Sequence, residues 1–234
     1  MKITMIGHST LLIETSGKKI LTDPFWNAWG NPVFERLGKP AMPREEAARV
    51  DAVLLSHDHW DHTDGRYFKL LGQVPVYAPA PASVLVRLLG ARSVHTVRAG
   101  QSFAVGEVKI TVVPAVHVTV SVGFILEAEG KTVYFAGDTF RAPFMRDLGA
   151  RYKLDAALMP VTTFRIPMTM NEKDAVKAVK ELNPAVVVPI HLGVLPRSPL
   201  MRTGQTAQGF AQRLKDEGIT TPVNFLAEGD SLSL

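Results

Sequence analysis

The chain has 234 residues, 26 Lys and Arg against 22 Asp and Glu, and no cysteine. A typical domain takes about 150 residues, so the length fits one large domain or two small halves, and a chain this long buries about 70% of its unfolded surface without a staple. The missing cysteine excludes a disulfide scaffold, a cysteine-ligated zinc finger, an iron–sulfur protein and a cysteine nucleophile. Any metal must be held by nitrogen and oxygen, which directs attention to the seven histidines.

No apolar run approaches the roughly 18 residues that span a bilayer. The N-terminal MKITMIGHSTLLIE is broken by Thr4, Gly7, His8 and Ser9 and has no small-residue cleavage site after it, so a cytoplasmic enzyme is expected. A net charge of +4 is far from a nucleic-acid footprint, so no nucleic-acid partner is expected.

Residues 1–6 alternate apolar and polar and read as a strand. Residues 11–14 and 19–21 flank Thr15-Ser16-Gly17-Lys18, a hairpin ended by Asp23-Pro24. Residues 24–46 carry four prolines among Trp26, Trp29 and Phe34, a loop too apolar for a plain linker and suited to contact between copies of the chain. DAVLLS (51–56) is a short buried strand running into His57. Short helices are expected over 64–71 and 80–89, with a strand over 74–77 between them. Strands follow over 95–97, 102–105, 108–114 and 122–127. Glu129-Gly130 makes a second hairpin turn toward a strand over 133–136, and 155–159 is another buried strand.

Residues 171–182 give the clearest helix. Asn171 caps it, Glu172 and Asp174 sit in the first turn, and Ala175, Val176, Ala178, Val179 and Leu182 share one face. Asn183-Pro184 stops it. An apolar strand over 185–190 ends at His191; a helix over 204–217 and a strand over 223–226 complete the chain.

LLIETSGKKILTD (11–23) is similar to FILEAEGKTVYFAGD (124–138), the second copy being two residues longer. Chance similarity between two hairpins is one explanation. The other is two related halves, about 1–115 and 116–234, in a single domain over 1–234. The fold class is then α/β: a four-layer αββα sandwich, two mixed sheets with helices on the outer faces.

Residues 56–62 read Ser-His-Asp-His-Trp-Asp-His, which contains H-x-H-x-D-H at His57, His59, Asp61 and His62. Where a strand ends, alternate side chains project to one side, so His57 and His59 can reach one ion. Asp61 and His62 can turn toward a second. Such a cluster buried without a metal would leave polar groups unpaired. His117, Asp138 and His191 each follow an apolar strand, the place where open sheets put their sites.

This order of residues resembles the metallo-β-lactamase superfamily of metal-dependent hydrolases, along the whole chain. The resemblance implies that His57, His59 and His117 hold a first metal ion. Asp61, His62 and His191 would hold a second, with Asp138 bridging and Asp23, in LTDP, as the supporting aspartate. The opening GHST (7–10), with LLIE and LTDPF, is similar to the ascorbate-6-phosphate lactonase group and to phospholipase D-type enzymes acting on N-acyl-phosphatidylethanolamine. There the early histidine, here His8, lies near the metals, as a catalytic group or as a brace of the first strand. His95 matches no part of the pattern and is expected to be structural.

Two divalent ions would share a hydroxide that attacks a carbonyl carbon or a phosphorus, with Asp61 orienting it and taking its proton. Nitrogen and oxygen ligands suit zinc first and manganese second. The expected reaction is hydrolysis of an ester, lactone or phosphodiester bond in an anionic small molecule, read by Arg141, Arg165 and Arg197, with Arg202 beside them. Trp26, Trp29, Phe34 and Trp60 are expected either to line an apolar mouth or to pack the loop. The alternatives are a phospholipase D-like phosphodiesterase on a lipid, a di-iron oxygen-reducing module, or a non-catalytic metal-binding member of the fold.

Overall fold

The computed structural model describes residues 1–27 and 31–234. β1 (Lys2–Gly7), β2 (Thr10–Thr15) and β3 (Lys18–Thr22) form an antiparallel meander. The next segment holds β4 (Phe34–Arg36) and α1 (Arg44–Ala47). β5 (Ala52–Leu54) then adds parallel to β3. After α2 (Gly65–Phe68), β6 (Pro75–Ala78) adds to β5, and after α3 (Ala80–Leu88), β7 (Ser93–Thr96) adds to β6, both parallel.

The second sheet repeats the plan. β8 (Ser102–Val105), β9 (Val108–Pro114), β10 (Val122–Ala128) and β11 (Lys131–Phe135) form a meander. α4 (Phe144–Arg151) leads to β12 (Ala156–Pro160), and α5 (Glu172–Leu182) to β13 (Val187–Ile190), both strands parallel to their neighbours. β14 (Val194–Pro196) pairs with β4 in a small separate sheet. α6 (Ala207–Asp216) and β15 (Ser231–Ser233) follow, and β15 pairs with β1.

Strand alternation builds the layers. Ile3, Met5, Leu11, Ile13 and Ile20 point inward and meet Ile110, Val112, Phe124, Leu126 and Phe135 of the second sheet. Ile6, Leu12, Leu21 and Val53 point the other way and are covered by Tyr67, Phe68, Ala82 and Val86 of α2 and α3. Ile125 and Tyr134 face outward beneath α4, α5 and α6. The result is the four-layer αββα sandwich.

The two hairpins carry matching clamps. Each turns on two residues at positive φ, Ser16-Gly17 and Glu129-Gly130. In the first, Lys18 Nζ and the Lys19 backbone N–H donate to Asp51; in the second, Lys131 Nζ and the Thr132 backbone N–H donate to Asp155. Both aspartates sit just before the next parallel strand.

Three expectations need correction. The strand over 223–226 is a single bridge, Val187 to Val223, because the chain turns away through Gly229 (φ 96°) to reach β1 as β15. The helix over 64–71 is one turn, capped by Asp64, whose Oδ1 accepts from the backbone of Arg66 and Tyr67. The 24–46 segment is not all loop: it holds β4 and α1, and its Trp26 packs inside the chain, stacking on Tyr67 and donating its Nε1–H to Met42 O. No helix among the described residues is long and apolar enough to cross a membrane.

Candidate metal centre

Every candidate ligand sits in a loop at the carboxyl end of a strand. β5 runs through Leu55 and Ser56 into the 57–62 loop, and His117, Asp138 and His191 follow β9, β11 and β13. The loops are tied together. Thr119 Oγ1 donates to Asp58 Oδ1 at 2.8 Å, and Thr63 Oγ1 donates to His59 O.

Asp23, fully buried at the end of β3, organises the first loop. Its carboxylate accepts from the Ser56 N–H at 2.7 Å, the Ser56 Oγ–H at 2.6 Å and His62 Nδ1 at 2.6 Å. Ser56 Oγ spends its one proton on Asp23, so it accepts from His57 Nδ1 at 2.9 Å. These bonds set both tautomers. Each ring turns an Nε2 lone pair inward, and both Nε2 atoms are buried with no hydrogen-bond partner, as is Asp138 Oδ1. Buried polar atoms left unpaired cost about 1–3 kcal/mol each. Inward-facing acceptors with nothing to donate to them fit a cation.

The candidate ligand atoms fall into two four-residue groups, backed by a third of Asp23, His57 and His62. One atom each from His57, His59, His117 and Asp138 lie within 4.8 Å of one another, and so do one each from His8, Asp61, His62 and His191. His59 Nδ1 is 3.2 Å from His117 Nε2, two nitrogens converging on one point. Asp138 stands between the groups. Its Oδ2 is 3.1 Å from His191 Nε2 and 3.9 Å from His57 and His117 Nε2, and its Oδ1 is 3.5 Å from His62 Nε2.

The electrostatics match this crowding. Burial works to raise Asp61 and Asp138, yet His62 beside Asp61, and His191 and His62 beside Asp138, hold both carboxyls well below the usual range. Burial and the neighbouring His62 push His57 well below the usual histidine range. Burial, helped by His59, takes His117 down to about 4 against the pull of Asp138. His62 and His191 go the other way. Burial opposes their charge, but Asp138 leads the carboxylates that raise His62 well above its ordinary value and His191 to about 9. The carboxylates that favour positive charge on these two rings would equally favour a cation beside them.

The remaining site expectations divide. His8 lies inside the second group, buried, with its ring 4.2 Å from that of His191. His95 lies in β7 and stacks on Tyr77. Arg141 is ion-paired with Glu181 of α5. Arg197 donates to Asn31 O and faces Glu35 at 3.7 Å, and Arg202 holds the same glutamate and Pro196 O. Arg165 is exposed. Among the described residues, no hydrogen bond or ion pair joins Arg141, Arg165 or Arg197 to the cluster. Glu181 thus engages Arg141, Glu35 and Asn31 O engage Arg197, and Arg165 is left exposed.

Of the expected aromatic mouth, Trp26 is core and Trp29 lies outside the described residues. Phe34 and Trp60 do stack, at 5.5 Å. Phe164 joins them at 5.3 Å from Phe34 and 6.4 Å from His191, a wall beside the second group. A cavity of about 570 Å³ adjoins His191, lined by Phe164, Val194, Leu195 and Phe225 with Thr163 and Gln205. Sequence reasoning did not single out Phe164 or Ser56 as a brace; only the position of Ser56 directly before His57 signalled it.

A family profile described as the beta-lactamase superfamily domain matches residues 18–192. A metal-dependent hydrolase of Pelotomaculum thermopropionicum is 36% identical over 214 residues, 84% of this chain and 86% of that one. The structure of a metallo hydrolase from Ignicoccus hospitalis is similar at a TM-score of 0.76, with 26% identity over 99% of this chain and 97% of that one. An isothiocyanate hydrolase from Delia radicum gut bacteria shares the fold at a TM-score of 0.81, with 23% identity over 100% and 99% of the two chains. With its sandwich fold and its histidine–aspartate cluster, the chain belongs to the β-lactamase superfamily, among its metal-dependent hydrolases.

Proposed function

We propose that the protein hydrolyses an ester, lactone or phosphodiester bond of a small molecule at two divalent metal ions. His57, His59 and His117 hold the first, Asp61, His62 and His191 the second, and Asp138 lies between them. The observation that carries this reading is the pair of four-residue groups on either side of Asp138, with buried Nε2 atoms on His57 and His62 that have no hydrogen-bond partner.

The ions would supply acidified water and polarisation of the substrate oxygen. The chain's own residues do the rest. Asp61, buried and held ionised, would orient the attacking water and accept its proton. Asp138 stays ionised at any working pH. Asp23 and Ser56 fix the tautomers of His62 and His57, the kind of support whose loss costs about 10–100-fold in metal affinity or activity. Phe34, Trp60 and Phe164 would form an apolar wall on one side. Nitrogen and oxygen ligands favour zinc, then manganese.

Preference for an anion would rest on the cationic centre itself and on Arg165, which is exposed beside Phe164, more than on Arg141 and Arg197, which already face Glu181 and Glu35. A second reading, a phospholipase D-like enzyme on a lipid, is favoured by one observation. Val118, Val120 and Ile166 are 59%, 57% and 60% exposed; the two valines share the loop of His117, and Ile166 lies two residues from Phe164. We further infer that the chain holds two related halves in one domain, parted before β8 and not at residue 115, since β8 and β9 lie in the second sheet; the matched Lys18–Asp51 and Lys131–Asp155 clamps support it.

The test is a panel of a nitrophenyl ester, a lactone, bis-nitrophenyl phosphate and phospholipid vesicles. The protein is assayed as purified, after chelation, and after add-back of zinc or manganese. Loss on chelation and recovery on add-back support the proposal. Activity that survives complete metal removal overturns it, and turnover of vesicles alone would select the lipid reading.

A further inference from the structure

His8 belongs by distance to the second ligand group, yet its other ring nitrogen says what it can do there. The Gly193 backbone N–H donates to His8 Nδ1 at 3.0 Å. A backbone N–H cannot accept, so Nδ1 must present its lone pair, and the one ring proton sits on Nε2. A doubly protonated ring would set two donors face to face. His8 Nε2 therefore has no lone pair to give a cation. It faces Asp61 Oδ2 at 3.4 Å, longer than a full hydrogen bond, as such contacts often are before the site is loaded.

The backbone is built around this contact. His8 (φ 61°) and His191 (φ 64°) are both non-glycine residues in the left-handed region, and the His191 N–H donates to His8 O at 3.2 Å. Local strain of this kind persists only where the surroundings enforce it. Gly193 allows the close approach: a Cβ there would lie 2.8 Å from His8 Cβ and 3.0 Å from His8 N. Gly7 allows the other side, since a Cβ would collide with the Arg36 guanidinium. Two chain segments 185 residues apart thus clasp one ring in one orientation.

We propose that His8 is a positioning residue and not a metal ligand: the Gly193 N–H fixes its Nε2–H toward Asp61, so that the Asp61 carboxylate, whose Oδ2 also lies 3.6 Å from His191 Nε2, is held in one orientation at the second metal site. This rests on the two-metal reading above. It adds a residue that decides how Asp61 is aimed.

Two amide variants separate the two nitrogens. His8→Gln places an N–H near the Nε2 position and keeps donation to Asp61. His8→Asn tolerates positive φ and can accept from Gly193, but is too short to reach Asp61. The readouts are bound metal per chain after dialysis and the visible spectrum of the cobalt-substituted protein. Wild type, Asp61→Ala and His191→Ala are the references. We expect His8→Gln to keep the wild-type stoichiometry and cobalt spectrum. We expect His8→Asn to keep its fold and its first ion but to bind the second about 10–100-fold more weakly, with an altered spectrum. Loss of the second ion from His8→Gln as complete as in His191→Ala would make His8 a ligand and overturn the proposal. Unchanged metal affinity and spectrum in His8→Asn would overturn it too. A wild-type chain that binds fewer than two ions would instead defeat the two-metal reading, so the two failures are distinguishable.

Discussion

The two halves of the molecule use one scaffold for unequal tasks. Each sheet turns a hairpin, clamps it to an aspartate before the next parallel strand, and ends the hairpin's second strand near another aspartate, Asp23 or Asp138. In the first half Asp23 has 0% exposure and faces Ser56 and His62, bracing the ligands from behind. In the second half Asp138 faces both ligand groups. The loop after β5 carries His57, His59, Asp61 and His62, whereas the second half gives one residue after each of β9, β11 and β13. A repeated frame can thus concentrate chemistry in one loop and use the other half to close the site over it.

The largest expected effect breaks the crowded loop. His59→Ala should lower activity well beyond the about 100-fold typical of lost ligand support, with far-UV circular dichroism unchanged, because His59 touches no core cluster. A fully folded, fully active variant would remove His59 from the centre. Next comes the contrast between the two aspartates. Asp138→Asn should cost more than Asp23→Asn, which should weaken metal binding about 10–100-fold. Titration of both variants with zinc would show the order, and the reverse order would contradict the division of labour.

A third substitution tests the seam between the halves. Gly137 has φ 56°, and a Cβ there would collide with Ser56 Cβ. Gly137→Ala should displace Ser56 and with it His57, lowering metal affinity; an unchanged zinc titration would count against that coupling. The smallest effect is expected at a clamp. The Lys18 ammonium and the Lys19 N–H hold the Asp51 carboxyl below its ordinary value. Its folded-state pKa is depressed, so its stabilisation is present above the ordinary carboxylate pKa and fades as pH falls through the folded value. The pair is solvent-exposed, so Asp51→Asn should cost no more than about 1 kcal/mol at neutral pH and nothing in strong acid, by denaturant unfolding at the two pH values.

Local signals made much of this readable from sequence. The Ser16-Gly17 and Glu129-Gly130 turns, the Asn171 cap and the apolar strand feeding His57 each act within a few residues. The strands that escaped, β4, β14 and β15, have three residues each and show no period. α4 escaped because Gly149 breaks its pattern, and that glycine is there because the α5 backbone passes too close for any Cβ. The role of His8 was out of reach because its partner, Gly193, lies across the whole chain and gives no sequence signal beyond being a glycine. The ion pairs of the arginines were out of reach because the sequence shows their charge but not that Glu181 and Glu35 face Arg141 and Arg197.

The central claim is that seven residues form one two-ion centre. The most direct test is the metal content of the purified chain, by mass spectrometry after dialysis against zinc-containing and then metal-free buffer. The account predicts two equivalents per chain, falling to one in His191→Ala. One equivalent or none in the wild-type protein would contradict it.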